Sequence, residues 1–171
     1  MQLTGHCVPL STDSQQDFLR VFGNVFEHSP WLVERAWALR PFADGQALYR
    51  AFRSVLHGLS QEEQLRLIRA HPELASKVAI ARGMTGESTA EQASAGLDRL
   101  TPDEFMRFQT LNDAYRRQHG FPFIICVRLH DKTGILAAMQ ERVTRSADDE
   151  LREAIEQISQ ICRLRIEALV A

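Results

Sequence analysis

Residues 119–128 read "HGFPFIICVR", and what this stretch becomes decides the fold. Two phenylalanines flank Pro122, four apolar residues follow, and Arg128 closes the run, so it alone in the chain resembles a β-strand. A strand needs a neighbour to take up its peptide N–H and C=O groups, and no second run of this kind occurs in the 171 residues. The stretch is therefore expected to be an extended, irregular insert packed against helices. The fold expected around it is all-α, a single domain of eight or nine helices.

The rest of the chain carries the helical period. Phe18, Val21, Phe22, Val25 and Phe26 share a face across Asp17–Phe26, and Pro30 follows where a first-turn proline is tolerated. Leu48, Ala51, Phe52, Val55 and Leu56 form a second stripe, closed by Gly58. Ser60 with Glu63, and Thr101 with Glu104, stand in capping-box register, with Pro102 at a first helical position. Ser146 and Asp149 open a last helix lined by Leu151, Ile155, Ile158, Cys162, Ile166 and Leu169. One domain is expected over residues 1–171, with residues 1–12 less ordered than the rest.

Composition narrows the function classes. With 44% hydrophobic and 25% charged residues the chain can bury a core. Its 20 basic and 22 acidic residues interleave to a net charge of -2, which offers no basic face for nucleic acid and no polybasic run for a membrane. A small-molecule or protein partner is expected. Cys7, Cys126 and Cys162 lack CxxC spacing, arguing against disulfides and zinc and for a reducing cytoplasm. The opening MQLTGHCVPLSTDSQQ resembles no signal peptide, no apolar run approaches the roughly 18 residues of a spanning helix, and Leu-Val-Ala at the end is no peroxisomal address. No metal site is expected, because His6, His28, His57, His119 and His130 show neither i, i+4 pairing nor an HExxH arrangement.

Three local features could carry chemistry. In "IRAHPELASKVAIARG", Pro72 pushes His71 out of helical geometry, so His71 should sit at a joint between a helix ending near Ala70 and one starting at Pro72. There it either caps the preceding helix or turns into a cleft as a proton carrier. In "GMTGESTAEQASAGL", Ser88 and Glu91 fit a capping box, and the same helix N-terminus could instead hold a carboxylate or a polarised amide. In the opening stretch, Arg128 is either the solvated end of a buried segment or a fork for a carboxylate, with Phe121, Phe123 and Ile125 as walls and the peptide groups as ligands.

Taken in order and at their separations, "FEHSPWLVERAW", "HPELA", "STAEQASAGL" and "GFPFIICVR" resemble the family of 2-oxo-4-hydroxy-4-carboxy-5-ureidoimidazoline (OHCU) decarboxylases of urate breakdown, from about Asp17 to Leu169. The resemblance implies an all-helical, cofactor-free enzyme, commonly a homodimer, that converts OHCU into (S)-allantoin. It further implies that His71 is the catalytic histidine, Glu91 its acidic partner and Arg128 the site arginine. Pro72, the turn of Ser88, Thr89, Ala90, Glu91 and Gln92, and the backbone of Phe123, Ile124, Ile125, Cys126 and Val127 would hold the substrate. The chain departs from the family pattern at Gln118 and His119, where Lys-Phe is frequent, and at Arg145, where asparagine is common. Those changes bear on local packing and the dimer contact more than on the reaction. Two other readings stay open at this level: a non-catalytic helical interaction module, and a lyase for a related ureido or hydantoin acid.

Overall fold

The computed structural model describes residue 10, residues 14–76 and residues 83–171; most of the span 1–12, expected to be less ordered, lies outside the described residues. The described residues hold eight α-helices and no strand. They are α1 (Gln15–Phe22), α2 (Pro30–Trp37), α3 (Gly45–His57), α4 (Gln61–Ala70), α5 (Gly86–Ser94), α6 (Pro102–His119), α7 (Lys132–Arg142) and α8 (Ala147–Val170).

Local chemistry sets most boundaries. Ser60 and Thr101 complete both capping boxes, with Glu63 and Glu104 reaching back to the cap N–H groups. Ser146 accepts from Asp149 N and opens α8. Helix α1 is shorter than its apolar stripe predicts. It stops at Gly23, where a Cβ would come within 2.4 Å of the Leu19 carbonyl oxygen, and turns carry the chain through His28, at φ 47°, into α2. Val25 and Phe26 are still buried, so the stripe reported burial correctly and helix length incorrectly.

The 24-residue α8 is the spine, packing on α3, α4 and α6, while α1, α2 and α3 pack in succession. Its buried face carries Ala154, Ile155, Ile158, Cys162 and Ile166, and also two charged groups near opposite ends, Glu150 and Arg165. "HGFPFIICVR" is the expected irregular insert. Gly120 leaves α6 in the left-handed conformation at φ 77°, residues 121–126 run without regular structure, and Val127–Leu129 form a single 3-10 turn. Its backbone is satisfied in part by side chains: Gln157 accepts from Cys126 N at 2.8 Å, and Arg142 Nη1 donates to the Ile124 carbonyl at 2.9 Å.

Arg142 is thus the peg of the insert. It lies over the Phe123 ring, 4.4 Å from the centroid, and binds both oxygens of the fully buried Glu150, which also accepts from the Tyr115 hydroxyl at 2.5 Å. Removing the cation strands a buried carboxylate. Arg142→Met should therefore cost about 3–5 kcal/mol in chemical denaturation. Arg142→Met/Glu150→Leu should recover at least half of that loss, and a double variant no more stable than the single would show that the pair is not the source.

Candidate active site

Helix α4 ends at Ala70 because Pro72 holds His71 in an extended conformation (φ −77°, ψ 142°). The imidazole folds back on its own helix, and its Nδ1 lies 3.0 Å from the Leu67 carbonyl oxygen. A carbonyl only accepts, so Nδ1 carries the hydrogen and Nε2 keeps a free lone pair. The capping and functional readings of His71 are therefore compatible: the bond that caps α4 also selects the tautomer. Burial drives the His71 pKa down to about 4, against the opposing pull of the Leu67 bond and the Glu27 charge and with the help of Arg165 and His28. At neutral pH this is an uncharged base.

Pro72 does not start the expected next helix. Residues 72–76 form a turn with Ala75 in the left-handed region at φ 53°, and residues 77–82 lie outside the described residues. Three amides pin this turn. Gln92 Oε1 accepts from Ala75 N at 3.1 Å, Gln109 donates to the Ala75 carbonyl at 3.1 Å, and Asn112 donates to the Leu74 carbonyl at 2.9 Å.

Helix α5 begins three residues earlier than the Ser88–Glu91 capping box implies, so Ser88 is not its N-cap. Thr85 is the N-cap, accepting from Ser88 N at 3.3 Å. The competing cap wins because Thr85 is itself held from outside the helix: its N–H and hydroxyl both donate to Glu27, at 3.0 and 2.6 Å. Ser88 and Glu91 are thereby freed to point inward. Ser88 Oγ donates to Glu27 Oε2 at 2.6 Å, and Glu91 receives both arms of Arg165, Nε to Oε1 and Nη2 to Oε2, each at 2.8 Å. Arg165, 5% exposed, also reaches Ser88 Oγ at 3.0 Å and the Asn24 carbonyl at 3.0 Å. Burial would raise the Glu27 carboxyl, but bonds from Ser88 and Thr85 and the Arg165 charge outweigh it and hold the group below its ordinary range.

These groups surround a small cavity of about 30 Å³. Of the anticipated residues it brings together His71, Pro72, Ser88, Glu91, Gln92, Phe123, Ile124, Ile125 and Val127, and it adds Leu74, Ile161 and Arg165. Thr89 is exposed and bonds back to the Thr85 carbonyl, while Cys126 is buried without lining the cavity. Arg128 and Ala90 lie on the other side of the Glu91–Arg165 pair, in an outer, mostly apolar hollow of about 290 Å³. There Arg128 is exposed and donates to the Leu164 carbonyl at 3.3 Å. His71 and Pro72 also border a wider hollow of about 710 Å³ with Glu27, Arg69 and Arg116. Among the described residues no three His, Cys, Asp or Glu side chains converge as metal ligands would, and no helix is long and apolar enough to cross a membrane.

Sequence reasoning missed Arg165 and Glu27. The signal for Arg165 was a charge set on the apolar stripe of α8, three residues after Cys162 and beside Ile166. Glu27 lies within FEHSPWLVERAW, with nothing local to mark it as buried.

This arrangement occurs in a chain with close relatives. The OHCU decarboxylase family model matches residues 11–167. The 2-oxo-4-hydroxy-4-carboxy-5-ureidoimidazoline decarboxylase of Halalkalicoccus jeotgali is 41% identical over 160 residues, covering 94% of this chain and 89% of its own. That of Haloferax volcanii is 42% identical over 149 residues, covering 87% and 86%. The crystal structure of (S)-allantoin synthase superposes with a TM-score of 0.72 at 30% identity, over 94% of this chain and 52% of that longer one. The fold is also that of an OHCU decarboxylase crystallised in the presence of (S)-allantoin, with a TM-score of 0.72 at 20% identity, over 87% of this chain and 96% of that one. The chain belongs to the OHCU decarboxylase family.

Proposed function

We propose that this chain is a carboxy-lyase of urate degradation that decarboxylates OHCU to (S)-allantoin without a cofactor. Family membership supports the substrate. The observation that carries the chemistry is a buried, uncharged His71 whose free Nε2 shares a cavity with a carboxylate clamped by arginine.

Breaking the bond to the substrate carboxylate releases CO2 and leaves an electron pair that the neighbouring ring C=N unit accepts, so the substrate is its own electron sink. His71 Nε2 takes the proton of the substrate hydroxyl, and that carbon becomes a carbonyl. The imidazolium then returns the proton to the carbon bearing the ureido group, and water supplies one further proton to the ring nitrogen. Delivery from a side chain fixed at one wall reaches one face of the ring, which supports a single enantiomer of the product. Glu91, held by Arg165, orients the hydroxyl or a ring N–H, and the Ser88–Gln92 turn, Pro72 and the Phe123–Val127 backbone serve as substrate contacts. The small cavity admits the reacting carboxyl end, and the rest of the substrate lies in the wider hollow on the other side of His71. We assign the fork in this cavity to Arg165 and leave Arg128 at the outer hollow. A homodimer in the cytoplasm completes the proposal, supported by the family resemblance and by free, buried Cys126 and Cys162, which suit a reducing compartment.

Mixing purified protein with freshly prepared OHCU and following allantoin by circular dichroism tests the reaction; no acceleration over the spontaneous decay sinks it. Sedimentation equilibrium should give twice the mass of one chain.

The site residues separate by variant. Glu91→Gln and Arg165→Lys should each lower kcat/KM by about 100-fold or more, the first by removing charge and the second by removing the planar fork. Arg128→Lys should stay within about threefold of the parent; a loss as large as that of Arg165→Lys would bring the outer hollow into the reaction.

The depressed His71 pKa has two measurable consequences. Because His71 must be neutral to accept a proton, kcat/KM should stay flat down to about pH 5 instead of falling through 6.5. Between pH 6.5 and about 4 the unfolded chain protonates this histidine and the folded one does not, so stability is lost as pH falls, on the order of 3 kcal/mol. Denaturant titrations of His71→Gln should lack the loss in that window, whereas a steeper fall at lower pH, where Glu27 protonates, should remain.

A further inference from the structure

Glu27 takes no part in the steps above, yet it is fully buried and contacts two of the groups that do, Ser88 and Arg165. Its Oε1 accepts from Thr85 N, its Oε2 accepts from the Thr85 and Ser88 hydroxyls, and Arg165 Nη1 stands 3.7 Å from Oε2. The turn that presents Glu27 also supplies the Asn24 and Val25 carbonyls to the same guanidinium, at 3.0 and 3.3 Å. One short segment between α1 and α2 therefore anchors both the first turn of α5 and the end of Arg165.

Anchoring draws on both oxygens as acceptors, and a neutral amide would keep one of them and turn its NH2 toward a donor. A buried carboxylate is nonetheless costly unless its charge is also used. The charges around the cavity indicate the use. Glu27, Glu91 and Arg165 sum to one negative charge, and His71 adds one positive charge when it takes a proton. Other charged or titratable groups facing His71 are His28, half exposed and 3.7 Å from Glu27, and Arg69, Glu73, Asp113 and Arg116 around the wider hollow. Only Glu27 among the acids is fully buried on that side, where water screens least.

We propose that Glu27 is a positioning residue for the decarboxylation: it holds Arg165 and the start of α5 in register and serves as the buried counter-charge to the imidazolium that His71 becomes. The inference rests on the functional reading above, and it places the effect on the proton-transfer step and not on substrate binding. Loss of the Glu27 charge leaves the protonated His71 with no net compensation, while an anionic substrate meets one negative charge fewer.

E27Q, measured beside the parent, tests this. Its kcat for OHCU should fall by about tenfold or more. Its KM, and its affinity for (S)-allantoin by isothermal titration calorimetry, should stay within about twofold, with an unchanged helical circular dichroism spectrum. Parental kcat overturns the proposal. So does a rise in KM with weaker allantoin binding that accounts for the loss, since that marks a loosened site. Should E27Q not fold, Thr85→Val carries the test, because it removes one donor and leaves the charge: kcat lowered about threefold at unchanged KM supports the clamp, and parental kcat overturns it. A parent that neither turns over OHCU nor binds (S)-allantoin sinks the functional reading and this inference together, an outcome distinct from any difference between parent and variant.

Discussion

A guanidinium buried to 5% exposure must find acceptors for its N–H groups, and the site is organised by how Arg165 finds them. Its partners come from two separate parts of the chain: the turn after α1 gives two carbonyls and Glu27, and α5 gives Ser88 and Glu91. Taking such a charge out of water costs several kcal/mol, recovered only if every partner is in place. That demand fixes how α1, α5 and α8 meet. It also converts Glu91 from a free surface carboxylate into one with a single orientation, held by both arms of the guanidinium.

The second organising element is the turn after His71. A proline-broken helix end would ordinarily leave its carbonyls and the following backbone to solvent. Here the imidazole satisfies Leu67, and Gln92, Gln109 and Asn112 satisfy the peptide groups of Leu74 and Ala75. The histidine is consequently rigid, dry and uncharged at once. Its neutrality comes from burial and its tautomer from the Leu67 carbonyl, which by itself would favour the charged form.

Legibility in the sequence followed the range of the forces involved. The all-α class, the caps at Ser60, Thr101 and Ser146, the end of α4 at His71 and the irregular insert were readable, because each is decided within a few residues. The start of α5 was misjudged because two caps three residues apart, Thr85 and Ser88, are locally equivalent, and Glu27, far away in sequence, decides between them. The same blindness to distant partners hid Arg165, while Arg128, at the end of a conspicuous run, is exposed at the outer hollow and donates to the Leu164 carbonyl. The amides of α5 and α6 left only a faint trace. Gln92 and Asn112 are buried polar groups on otherwise amphipathic helices, and their partners were beyond local inference.

Helix α8 carries buried charges at positions 150 and 165, one bound to the peg of the insert and the other to Glu91. Fifteen residues of α-helix separate them, about 22 Å along the axis and roughly 60° apart in rotation. The helix therefore acts as a measuring rod between the two halves of the site wall. Inserting or deleting one residue within it turns one anchor by about 100° relative to the other and moves it by about 1.5 Å, so neither charge can be reseated without abandoning its partner. Changes of chain length can be absorbed in the loops that join the helices, whereas this interval can drift in residue identity but not in number.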